Sequence, residues 1–262
     1  MTLFTTTKGN DIEDIVFSIA DQINHDLDNV RSPELRCDLA KLNEMAGIKA
    51  VRCSDYMTSR SYFNVALSLL PPDHWESHYD RSLRLYFLRA KSIYSSGDGT
   101  EASADLRRII SCARCLEDKL KSYHQLVVLL FDSEQLRESY ITACDVLSQL
   151  GEVVPNVMGD KEKKQINNVE LCIRSCASEE YFLGMRDMNN EVTNVCTTQP
   201  ILHHVARSTE KTIKSILEFY NIMASLSFIC KPELTPVFVC RMVQLSMEHE
   251  GVSKYTILGK RF

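Results

Sequence analysis

Apolar residues along this chain recur three and four positions apart almost from end to end, the spacing of one buried helix face. Ile12, Ile15, Val16, Ile19 and Ile23 form the first such stripe. Ser32-Pro33-Glu34-Leu35 then reads as a helix start: a capping serine, proline in the first turn, then an acidic residue. Leu39, Leu42, Ala46 and Ala50 carry the face of that helix, and Tyr62, Phe63, Ala66, Leu67 and Leu70 that of the next. Pro71 and Pro72 end it, because proline disfavours a helical residue before it. A helix over Trp75–Ser96 is predicted from Tyr79, Leu83, Tyr86, Phe87, Ala90, Ile93 and Tyr94. "SSGDGTEA" (Ser95–Ala102) reads as a tight turn, followed by helices over Thr100–Cys115, Leu116–Phe131 and Leu136–Leu150, with Gly151 and Pro155 as a stop signal.

Beyond Pro155 the pattern loosens. "GDKEKK" is a charged entry to a helix over Lys163–Ala177, and "RDMNNEVTNVCTTQP" (Arg186–Pro200) reads as an irregular connection. Helical spacing returns over Glu210–Phe228 and Leu234–Met247. Val237, Val239 and Val243 suggest a strand, but Cys240, Met242 and Leu245 beside them fit a helix better. The fold class is all-α.

The helices pair, and the pairs recur. Gly47, Ala90 and Val127 fall midway along three first helices, and Ser59, Ala102 and Ser139 near the starts of three second helices, 43 and 37 residues apart. That period belongs to helix-hairpin arrays, in which one hairpin cannot bury its apolar face alone and stacking makes a continuous core. Phe63 and Ala66 lie on one face of the first unit, with Gly47 where its helices approach and Pro71 at the exit. Leu106 and Ile109 take the corresponding places in the second unit, Ala143 and Val146 in the third, whose exit proline is displaced to Pro155. Gly97 supplies a glycine-acid turn like that of a tetratricopeptide repeat. The expected architecture is antiparallel hairpins stacked into a tetratricopeptide-like right-handed superhelix, a solenoid. Its expected parts are an N-terminal helix packing on or capping the array (residues 1–31), three degenerate hairpins (32–156), and further helices of the same array (157–262) with an irregular connection near 186–207.

Composition narrows the class. With 30 basic against 35 acidic residues the net charge is −5, which is no footprint for nucleic acid. The 44% hydrophobic content suits a globular core. "LVVLLF" (126–131) and "IMASLSFIC" (222–230) are too short to span a bilayer, and the N-terminus lacks a signal-peptide pattern, so no membrane association and a cytoplasmic location are expected. The ten cysteines are then expected as free thiols in a reducing compartment.

Several segments resemble a known family: "DIVFSIADQINH", "LAKLNEMAGIKA", "YFNVALSLLPPDHWESHYDRSLRLYFLRAKSIYSSGD" and "ILEFYNIMASLSFICKPELTPVFVCRMVQLSMEHEGVSKYTILG", in order from about Asp11 to Gly259. They resemble the helical-repeat region C-terminal to the AAA-type (STAND-like) ATPase module in multidomain signalling kinases, serine/threonine or hybrid histidine. The resemblance implies an α-helical scaffold coupling an ATPase to a signalling output. The nucleotide loop G-x-x-x-x-G-K-[ST] is missing, since "ILGKRF" (257–262) lacks its spacing and hydroxyl, and there is no kinase catalytic loop or Asp-Phe-Gly. The chain therefore reads as the regulatory middle of such a protein, a fragment or a stand-alone relative, with no cofactor expected.

For chemistry, "HWESH" places His74 and His78 four apart, the spacing of a helical zinc site. Trp75 stands where a metalloprotease has its glutamate; Glu76 comes one residue late, about 100° around the helix. Asp73 reads as a helix cap, with Trp75 and Tyr79 packing a seam between hairpins. "CARC" (Cys112, Cys115) and the helical pair Cys172 and Cys176 would form a four-thiol zinc site only if their helices met; otherwise they are buried apolar residues. His203-His204 has no partner of suitable spacing. No catalytic or metal residue is assigned. The favoured reading is a non-catalytic scaffold for a protein partner or neighbouring domain, possibly through an acidic segment; the alternative is a small zinc-dependent hydrolase centred on His74 and His78. The expected partner face is a ladder of Lys41, Arg84 and Lys121 on successive first helices, with Lys91, Tyr94, His124 and Phe131 nearby.

Overall fold

The structure is a computed structural model, and the residues it describes are 9–155 and 210–248. The protein is all-α, and among the described residues there is no strand. The helices are α1 (Gly9–Asn24), α2 (Pro33–Arg52), α3 (Tyr56–Ser68), the single turn α4 (His74–Ser77), α5 (Tyr79–Ser95), α6 (Gly99–Cys112), α7 (Leu116–Asp132), α8 (Leu136–Gln149), α9 (Glu210–Cys230) and α10 (Thr235–Glu248). The expected helix over 163–177 and the irregular connection near 186–207 lie outside the described residues, as do Cys172, Cys176, His203 and His204.

Local chemistry sets the boundaries. Ser32 Oγ accepts the Leu35 N–H at 3.3 Å with Pro33 behind it, Asp55 Oδ1 accepts from Thr58 N at 3.1 Å, and Asp98 Oδ1 from Glu101 N at 3.1 Å. These are side-chain N-caps for the donors a helix start leaves unpaired. The helix ends share a second device. Ser54 (φ 59°), Gly97 (φ 95°), Glu134 (φ 60°) and Gly151 (φ 88°) are all left-handed. In each case the next N–H closes on a carbonyl near the helix end: Asp55 on Ala50, Asp98 on Ile93, Gln135 on Leu130 and Glu152 on Leu147, at 2.9–3.1 Å. That is the Schellman closure, and glycine is its usual occupant because Cβ disfavours positive φ. Here two of the four positions are serine and glutamate.

Two expected features differ. Residues 75–96 are not one helix: His78, at φ −132° and ψ 43°, divides α4 from α5. Asp73 occupies the cap position without a side-chain cap bond; its carbonyl instead accepts from Glu76 and Ser77 at 2.8 and 3.0 Å.

The chain divides into two compact units, 1–129 and 130–262, so the division falls within α7. In the first unit α1 packs on α2, α2 on α3, α3 on α5 and α5 on α6; α2 also touches α5. Its core holds Leu39, Leu42, Ala46, Phe63, Ala66 and Leu85. Gly47 lies against the Phe63 ring, where a Cβ would stand 2.6 Å from a ring carbon. Phe63 is wholly buried. In the second unit α8 packs on α9 and α9 on α10, around Leu147, Leu217, Phe219, Tyr220, Met223 and Phe238. Residues 211–230 are long and apolar enough to cross a membrane by length and composition. Seven residues of this helix, from Ile213 to Leu226, are buried within the unit.

Candidate functional site

Two clusters in the first unit gather the polar chemistry. The first lies where α2 meets α5. Glu44, only 8% exposed in its side chain, points from α2 at the arginines of α5. Arg84 Nε donates to Oε1 and Arg84 Nη2 to Oε2 at 3.0 Å, a bidentate grip on a carboxylate that would otherwise be costly to bury. Arg81 Nε stands 4.0 Å from the same carboxylate, and Arg81 Nη1 donates to the Cys37 carbonyl at 3.3 Å. Two turns towards the start of α2, the half-buried Cys37 thiol lies 3.5 Å from His78 Nε2.

The second cluster is the "HWESHY" turn itself. The Tyr86 ring stacks on Trp75 at 5.3 Å and 16° and on His74 at 5.9 Å. The Arg89 and Arg108 guanidinium groups lie 5.2 and 5.3 Å from the Tyr86 ring centre, within cation–π range. Asp105 holds Arg89 with bonds of 2.7 and 2.5 Å. Ser82 has one hydroxyl proton, which the carbonyls of His74 and His78 share as acceptors at 2.9 and 3.0 Å. His74 Nδ1, 2.8 Å from that hydroxyl, is then the donor. Burial, then the Arg108 charge, pushes His74 below the usual histidine range. Tyr79 donates to Asp118 Oδ2 at 2.7 Å and accepts from Arg114 N at 2.8 Å, while the Arg114 guanidinium lies 4.1 Å from its ring centre. The indole Nε1 of Trp75 is buried without a hydrogen-bond partner.

The two histidines thus serve different neighbours, His74 on Ser82 and His78 on Cys37. Among the described residues no group of three or more His, Cys, Asp or Glu side chains stands close enough to hold a metal ion. Cys112 ends α6 and Cys115 lies beyond it, so a turn rather than one helix face joins them; both are free thiols.

Lys41, Arg84 and Lys121 stand at equal distances before the left-handed residues Ser54, Gly97 and Glu134. Two of them have partners inside the chain. Lys41 pairs with Asp38 at 2.9 Å, and Arg84 with Glu44. Lys91 and Lys121 are exposed; Tyr94, His124 and Phe131 are half-buried, and Phe131 belongs to the second unit. Among the repeat positions, Phe63, Ala66, Ala90, Ala102 and Leu106 are fully buried. Gly97 is exposed at its turn, with open space where a Cβ would stand. Pro71 is half-exposed just beyond α3.

Residues missed from sequence are Cys37, Glu44, Arg81 and Arg60. Arg60 on α3 binds Glu101 on α6 and lies 3.8 Å from Asp98. A signal for them exists. Side-chain bonds in this unit repeatedly join residues 38 to 44 positions apart: Asp21 to Tyr62, Cys37 to His78, Glu44 to Arg84, Arg60 to Glu101, Tyr79 to Asp118 and Glu76 to Arg114.

In the second unit the polar centre is Glu152, fully buried. It accepts from Arg241 Nε and Nη2 at 3.0 and 2.9 Å and from the Tyr220 hydroxyl at 2.7 Å. Burial raises the Tyr220 hydroxyl far above its ordinary range and pushes the Cys144 thiol up to about 11.

What these residues define is an all-helical protein whose polar side chains, in the first unit, tie each helix to the one two places on. A stretch of 108 residues is 26% identical to Hybrid signal transduction histidine kinase G of Dictyostelium discoideum. The match covers 38% of this chain and 3% of that kinase, so the chain corresponds to a small part of its length. No family model matches, and no solved structure matches.

Proposed function

We propose that this chain is a non-catalytic, tetratricopeptide-like scaffold that binds a protein partner or a neighbouring domain, the regulatory middle of an ATPase-coupled signalling kinase. The observation that carries the reading is the period of the side-chain bonds. Links 38 to 44 residues long tie α1 to α3, α2 to α5, α3 to α6 and α5 to α7. Each joins a helix to the one two places on in the hairpin order, α4 being only the turn that leads into α5. This is the neighbour relation of stacked helix hairpins. On this reading α1 stands as the second helix of a preceding half-unit. The similarity to part of a histidine kinase supports the signalling setting, and a cytoplasmic location is part of this proposal.

The partner face is the side of the first helices, and its cations are Lys91 and Lys121, because Lys41 and Arg84 are engaged at home. An acidic segment suits those two lysines. The test is affinity capture with the full chain and with a Lys91→Glu/Lys121→Glu variant, read by mass spectrometry. Proteins held by the wild type and lost by the variant carry the reading, and an identical set on both overturns the lysine face. Metal analysis tests the scaffold reading itself. Stoichiometric zinc removed by His78→Ala would replace it with a hydrolase.

A further inference from the structure

We propose that Cys37 and His78 form a reactive thiol site that takes small disulfides of the glutathione type. The pair stands apart from the scaffold reading and does not rest on it. Two facts point to the site. The Cys37 thiol is half-buried rather than sealed, and an imidazole nitrogen lies 3.5 Å from its sulfur. The backbone that carries the imidazole is fixed, since His78 lies at the break between α4 and α5, where its carbonyl accepts from the Ser82 hydroxyl at 3.0 Å and the Ser82 N–H at 2.9 Å.

The carboxylates that follow Cys37 on α2 are each paired with a cation. Asp38 is matched by Lys41 at 2.9 Å and Glu44 by Arg84. The Arg81 guanidinium is anchored on the Cys37 carbonyl at 3.3 Å, and its Nε is buried without a hydrogen-bond partner. A thiol beside histidine is among those that react.

The step balances as a thiol–disulfide exchange. With its proton on Nδ1, His78 accepts the thiol proton at Nε2 as the Cys37 sulfur attacks one sulfur of the small disulfide. The disulfide S–S bond breaks and a Cys37–S–S–R bond forms. The departing thiolate takes the proton from the imidazolium, releasing one small thiol for each disulfide consumed. The oxidant is the small disulfide itself. An adduct of that size at the α2–α5 contact would displace His78 and separate the first two hairpins.

Cys53, exposed at the end of α2, is the internal comparison. The full chain is incubated with oxidised glutathione at neutral pH, quenched at intervals, digested and quantified by mass spectrometry. Cys37 is expected to acquire glutathione about tenfold or more faster than Cys53, less than full general-base assistance because Cys37 is half-buried and Cys53 exposed. His78→Gln keeps a hydrogen-bonding side chain but removes the base. It is expected to bring Cys37 to the Cys53 rate or below, with Cys53 unchanged. Mere loosening of the seam would expose Cys37 and speed its reaction, so a slower rate isolates the imidazole. The proposal is overturned if Cys37 reacts no faster than Cys53 in the wild type, or if His78→Gln leaves its rate unchanged or raised.

Discussion

Glu44 in the first unit and Glu152 in the second are both buried carboxylates gripped by arginine, but they are embedded differently. Glu44 is held by an arginine whose side chain is 54% exposed, and the link spans 40 residues. Glu152 is wholly buried, its arginine is 15% exposed, a tyrosine hydroxyl adds a third bond, and the links span 68 and 89 residues. The first unit spreads its polar ties along a ladder of similar rungs, whereas among the described residues of the second three bonds converge on one side chain just beyond α8. A ladder loses little when one rung goes, but a single anchor is lost all at once.

The largest expected effect tests the anchor. Glu152→Ala leaves the Arg241 charge buried without its carboxylate and takes away the acceptor of the Tyr220 hydroxyl, and should cost about 3–5 kcal/mol in urea unfolding of the full chain. Pairing Glu152→Met with Arg241→Leu should recover much of that loss, because it removes both charges. Next comes the close approach in the first unit. Gly47→Ala drives a methyl into the buried Phe63 ring and should cost about 1–3 kcal/mol; a neutral result would mean that α2 and α3 slide apart freely. Glu44→Ala should cost only about 1 kcal/mol, since Arg84 turns to water. A loss as large as that of Glu152→Ala would erase the contrast between the units.

The smaller effects run the other way or depend on pH. Ser54→Gly removes the cost of a left-handed serine and should stabilise by roughly 0.5–1 kcal/mol. His74 makes the first unit sensitive to mild acid. His74 binds its proton less readily folded than unfolded, so its contribution is present above the unfolded value of about 6.5 and is lost as pH falls below it. His74→Gln should flatten that slope, which hydrogen exchange at α5 would record.

Much of the first unit was legible in the chain because apolar spacing reports burial directly. Phe63, Ala66, Ala90 and Leu106 lie in the core that their periodicity predicts. Ser32 announced its cap because serine before proline has few other uses. What stayed hidden depended on partners or torsions with no letter of their own. Ser54 and Glu134 do not advertise positive φ as Gly97 does. That Lys41 and Arg84 pair within the chain was not legible, because lysine and arginine read alike whether they face a ligand or a home carboxylate. Their partners Asp38 and Glu44 carry no mark of burial or pairing in the sequence. The break at His78 was hidden inside an unbroken helical pattern, since Trp75 and Tyr79 keep the apolar spacing across it.

The left-handed turns have a consequence for how such a chain changes over time. At three successive corners the same torsion is occupied by serine, glycine and glutamate. The period is stored in backbone geometry and in the distance between corners, while the residue at each corner is free to drift within what a positive φ tolerates. A protein built this way can keep its shape while its alphabet wanders, and its kinship is then better traced by the rhythm of its bends than by the spelling of its turns.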